Sequence, residues 1–169
     1  MGEAWLAGWE NYYVVLGTGA AGLTGLTFLL IALIGDAHKV RLEGLNAYVT
    51  PTIVHFSGVL VLAAFLCMPH QRLLTLSLGF AVGGLAGVLY STVTAARMPR
   101  IGSDYVAVRD DWIFNVILPL CVYGGLLVSA LAIWRWPVPS LYAVAVLSLA
   151  MLLIAIRNAW DVAVWMTTR

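Results

Sequence analysis

Five apolar stretches follow one another along this chain of 169 residues: Tyr12 to Gly35, Ala47 to Met68, Leu73 to Thr94, Trp112 to Trp134 and Leu141 to about Met166. A helix rising 1.5 Å per residue needs roughly 20 such residues to cross a hydrocarbon layer of about 30 Å, and each stretch meets that length. The order predicts an all-α polytopic membrane protein, a single domain (residues 1–169) built as a bundle of five transmembrane helices. Composition agrees. The chain is 62% apolar and 10% charged, with a mean hydropathy of +0.95, against about 45 to 50% and 25% in soluble domains.

The connections are short. "MPHQR" and "RWPVPS" hold the prolines expected where a helix stops and the chain turns, so neighbouring spans should be antiparallel. The longest piece outside the spans runs from Ala95 to Asp111, far below the roughly 50 residues of a small domain. Any chemistry must therefore occur in or at the membrane. Nine basic and eight acidic residues give a net charge of +1 and are scattered among the loops, so no basic stripe exists to track nucleic acid. The opening "MGEAWLAGWE" lacks the positive region of a signal peptide, and Leu6 stands where a myristoylation motif needs Ser or Thr. The first span is expected to remain as a structural helix.

Loop charges set an expected orientation. Lys39, Arg41, Arg97, Arg100, Arg109 and Arg169 collect on one side, while Arg72 and Arg135 lie on the other. The first side is expected to be cytoplasmic, giving an N-out, C-in protein. Trp5, Trp9, Trp134 and Trp136 fall at one predicted interface and Trp112, Trp160 and Trp165 at the other, an aromatic belt at each surface.

Two spans carry small residues four apart: Gly17, Ala21 and Gly25 in the first, and Gly79, Gly83 and Gly87 in the third. That spacing aligns them on one helix face and lets backbones approach closely. Packing within one bundle is the expected use, ahead of a seam between copies and of a pore. "NYYVVLGTGAAGLTGLTFLLIAL" resembles the opening span of a loosely defined group of uncharacterised small bacterial multi-span proteins, and the late "NAW" is similar to a feature of that group. The resemblance implies a bacterial inner (cytoplasmic) membrane and brings no activity or catalytic residue.

The polar residues at depth are the candidate site. His55 lies eight residues into the second span, roughly 12 Å deep, with Tyr48 and Thr52 on the same face and Pro51 alongside, freeing the carbonyl of Ala47. Such a histidine either marks an ion or ligand path or is a strut hydrogen-bonded between helices. His38 and His70 belong to opposite surfaces, so no metal set forms, and no second residue at similar depth completes a haem site. No cofactor is expected. Asp111, Asn115 and Pro119 share a face of the fourth span. Cys67 and Cys121 differ in depth, which argues against a disulfide, and read as small apolar fillers.

In "LLIAIRNAWDVAVWM", Arg157 arrives about 24 Å after Leu141, close enough to the surface to snorkel, and Asp161 stands one turn away as a partner. One reading is an anchored helix end. The other turns Arg157, Asn158 and Asp161 inward to meet Asn115, Tyr90 and the His55 face in a polar vestibule. The first-ranked function is a small non-enzymatic bundle acting as an oligomer or as an accessory subunit, its partners being lipids, further copies or another membrane protein. A small channel or transporter for protons, cations or a small solute comes second, and an intramembrane enzyme acting on lipid or quinone third.

Overall fold

The computed structural model describes residues 6, 8–37, 42–97 and 109–167, and the side chains of 6, 8–33, 50–96, 109–110, 112–164 among them. The protein is all-helical, and no strand occurs among the described residues. Helix α1 spans Glu10–Ala37, α2 Leu42–Leu66 and α3 Leu73–Arg97. A fourth rod follows, made of α4 (Arg109–Trp112), a π-helical turn (Ile113–Ile117) and α5 (Leu118–Ala132). The last helix, α6, spans Pro137–Thr167. Helices α1, α3 and α6, and the fourth rod from Ile113 to Ala132, contain segments long and apolar enough to cross a membrane, and the apolar part found in α2 is Thr50–Leu66. Lys39, Arg41, Arg100, Arg169, Trp5 and His38 lie outside the described residues, as do the side chains of Arg97, Asp111 and Trp165.

The sequence predicts the last span from Leu141, but the helix begins at Pro137. Proline is well suited to the first turn, where its missing N–H has no intrahelical acceptor. Trp136 carbonyl accepts from both the N–H and the hydroxyl of Ser140, at 3.1 and 2.7 Å. "RWPVPS" is thus a turn and a helix start together. Across the bundle, "MPHQR" closes α2: Gln71 Nε2 donates to Phe65 carbonyl at 2.7 Å, and His70 takes a left-handed φ of 58° to reverse the chain. Pro51, by contrast, sits inside α2 without ending it.

Packing places α3 on α5, α1 on α2, and α6 against both α2 and α5. The shared core includes Tyr13, Phe56, Phe80, Leu126, Val144 and Ala155. Glycine sits at most of these seams. A Cβ on Gly17 of α1 would lie 3.0 Å from Ala63 of α2, one on Gly84 of α3 would lie 2.8 Å from Leu127, and one on Gly125 of α5 would lie 2.9 Å from Leu147 of α6. The ring of Tyr123 occupies the space a side chain on Gly87 would need, and the ring of Phe65 does the same at Gly79.

The two small-residue stripes are divided rather than continuous. Gly17 is packed, but Ala21 is exposed and Gly25 faces open space; beyond Ala20 no described side chain of α1 is buried. On α3, Gly79 serves α2, Gly87 serves α5, and Gly83 meets only Leu126, at 3.5 Å. Gly84, one residue off the expected stripe, makes the closer contact. The reason is that inclined helices touch intimately at a crossing point and separate along the remainder of their length.

Gly87→Ala is therefore expected to destabilise the protein by about 1–3 kcal/mol through overpacking against Tyr123, whereas Gly83→Ala and Gly25→Ala should be tolerated. Thermal unfolding in detergent micelles measures all three. Equal tolerance at position 87 would mean that the α3–α5 approach does not depend on the missing side chain.

Candidate functional site

His55 points into the bundle from α2 and is 1% exposed. Its Nδ1 and the hydroxyl of Tyr123 on α5 share a hydrogen bond 3.0 Å long, whose direction follows the imidazole tautomer. The ring of Tyr90, from α3, stands edge to face with the imidazole at a centroid distance of 6.0 Å. Three helices thus meet at one histidine. Tyr123 reaches this point because Gly87 lets its ring lie against α3, while a Cβ on Gly58 of α2 would make only ordinary contact with the hydroxyl, at 3.6 Å. Thr52, one turn before His55, is buried and engaged. Among the described residues, His55 Nε2 is one of a few buried polar atoms without a hydrogen-bond partner, with the hydroxyls of Tyr13 and Ser91.

A second polar group gathers on the fourth rod and α6. Pro119 has no N–H, so the carbonyls behind it lose a donor. In the π turn, Leu118 N–H reaches back five residues to Ile113 carbonyl, leaving its ordinary acceptor, Phe114 carbonyl, unserved. The residue five after Phe114 is Pro119 itself. Both backbone donors are therefore absent, and Asn158 of α6 supplies one: its Nδ2 donates to Phe114 carbonyl at 3.3 Å. Its neighbour Arg157 lies over the Phe114 ring, 5.1 Å from the centroid, and pairs with Asp161 one turn on. The two charged side chains are 40% and 54% exposed, so the pair sits at the rim. Asn158 and Asn115 are buried.

Among the described side chains, the candidates gather around two centres. His55 and Tyr90 come together, with Thr52 a turn away on the same helix. Arg157, Asn158 and Asp161 gather around Phe114 instead. Tyr123 and Phe114 anchor the two groups on one rod, nine positions apart, about 13 Å at helical rise. Asn115 adjoins the second group in sequence and is itself engaged. The side chain of Tyr48 lies outside those described.

Two participants were not legible beforehand. Tyr123 looks like any aromatic in an apolar span, and Phe114 contributes a backbone atom. For Phe114 the signal was present: Asn115 and Pro119, four apart, mark the carbonyls that a proline leaves unpaired. For Tyr123 the nearest hint is Gly87, which becomes informative only once α3 and α5 are known neighbours.

Other hydroxyls bridge helices in the same way. Tyr12 donates to Ala145 carbonyl at 2.7 Å; Ser77 donates to Ala130 carbonyl at 2.7 Å and accepts from Trp134 Nε1 at 3.1 Å. No group of three or more metal-ligating side chains occurs among the described residues. Cys67 and Cys121 are free thiols, both exposed. Comparisons with protein-family models, with characterised proteins and with solved structures find no match.

Tyr123→Phe should lower stability by about 1 kcal/mol, the size of an interhelical hydrogen bond in a bilayer. In the double variant with His55→Leu the hydroxyl should matter no further. A double-mutant cycle on unfolding in mixed micelles reads the coupling, and additive losses would show that the two side chains do not depend on one another.

Proposed function

We propose that this protein is a small, non-enzymatic bundle of a bacterial inner membrane, oriented N-out and C-in, that acts as an oligomer or as an accessory subunit of another membrane protein. The observation that supports this reading is the use of its polar side chains: His55, Asn158, Tyr12 and Ser77 each engage another helix of the same chain. Polar groups employed in this way hold helices together. A surface for association is also available. The half of α1 beyond Ala20 exposes Leu26, Phe28, Leu29 and Leu33, with Gly22 and Gly25 facing open space.

Native mass spectrometry from nanodiscs, with identification of co-purifying membrane proteins, tests the reading. The expected result is a defined oligomer or a stoichiometric partner, weakened by Gly22→Leu. A monomer recovered without a partner overturns it.

One observation favours a second reading, a small channel or transporter for protons, cations or a small solute: His55 Nε2 is buried without a hydrogen-bond partner, and intramembrane ionisable groups frequently lie on transport paths. Under that reading proteoliposomes show a flux abolished by His55→Ala. Under the first they show no flux at any pH, and His55→Ala only lowers stability.

A further inference from the structure

We propose that the rod formed by α4, the π turn and α5 has two backbone registers, and that Asn158 selects the one containing the π turn. The proposal follows from counting donors around Pro119. In the observed register Leu118 N–H goes to Ile113 carbonyl, and Phe114 carbonyl is one of two between residues 114 and 117 left without a backbone donor. In the ordinary α register Leu118 N–H returns to Phe114 carbonyl, four residues back. The orphan then becomes Asn115 carbonyl, whose donor would have been residue 119, and the proline ring also presses on that oxygen. The π register therefore leaves one carbonyl more without a backbone donor than the α register does, and Phe114 carbonyl is unserved only in the π register.

Asn158 makes up that deficit. Its amide reaches Phe114 carbonyl at 3.3 Å, the oxygen that lacks a donor only when the π turn is present. Leu118 N–H and Asn158 Nδ2 compete for the same acceptor. In hydrocarbon no water replaces a missing donor, so a single side-chain amide has leverage over the backbone. Arg157, stacked over the ring of the same Phe114 and paired with Asp161 at the rim, adds a second hold from α6. Single π turns of this kind occur frequently at functional positions.

Loss of the π turn removes one residue from a turn, so α4 rotates about 100° against α5. Tyr123 and Leu127, seated against the glycines of α3, keep α5 fixed, and the motion passes to Arg109 and Asp110, both exposed. Displacement of the Asn158 end of α6 thereby turns the point at which the chain enters the fourth rod. The device requires neither the His55 group nor an oligomer.

The test is a spin-label distance measurement on the full chain in nanodiscs, with labels at Asp110→Cys and Leu29→Cys in a Cys67→Ser, Cys121→Ser background. Asn158→Leu removes the side-chain donor. Pro119→Ala supplies a donor for Asn115 carbonyl and removes the ring, so it favours the α register whether or not Asn158 is present and is expected to fold well. Both variants should move the 110 label by up to about 8 Å, the arc available on a helix of this diameter, to one common position. Combining them should move it no further. A label that stays in place in Pro119→Ala overturns the proposal. So does an Asn158→Leu protein that keeps the original distance and loses only stability.

Discussion

Where Tyr123 lies decides how three helices meet. Its ring takes the space vacated by a side chain at Gly87, and its hydroxyl joins His55 on α2. In a bilayer the apolar side chains gain little by leaving lipid for one another, so close approach and hydrogen bonding must decide which faces join. Tyr123 supplies both on one residue. The α3–α5 seam, the most extensive in the bundle, continues above it through Gly84 and Leu127 and through Ser77 and Ala130 carbonyl. Tyr123 also orients the buried histidine, whose second nitrogen is then directed away from its partner.

The second group of polar residues obeys a different logic. Pro119 creates a need in the backbone, and Asn158, from a helix adjacent in space, meets it. The "RNAWD" stretch divides its duties by depth. Asn158 is buried and works inward; Arg157 and Asp161 remain at the rim, where they neutralise one another. Trp160 is exposed, which fits a helix surface at a membrane interface. Helix end and interior contact are therefore features of the same few residues, separated by the 100° between successive positions on a helix.

Hydropathy made the bundle legible because crossing a hydrocarbon layer imposes length and apolarity on each span independently. It placed the helix cores, with the larger departures at two starts, Leu42 in place of Ala47 and Pro137 in place of Leu141, the latter because proline can end a helix or begin one. Depth was legible too, since it depends only on counting along one helix; His55 and Asn158 were singled out in that way. What could not be read was rotation. Which face of α3 meets α5 depends on neighbours that single-span patterns do not name: of the stripe, Gly87 makes the close contact with α5, Gly84 rather than Gly83 makes the next, and nothing in its own span marks Tyr123. The π turn needed a further step, that a carbonyl without a donor in one span be matched with an amide in another.

Helix α1 is held unevenly along its length. Tyr13, Leu16, Gly17 and Ala20 are buried and Tyr12 is tied to α6, while beyond Ala20 Leu23 still packs on the core and Leu26, Phe28, Leu29 and Leu33 are exposed. The tightest grip lies near its first turns, where Gly17 rests on Ala63 with little room to yield. Any side chain larger than hydrogen at that position would act as a wedge between α1 and α2, prising apart the two helices where they are most closely fitted.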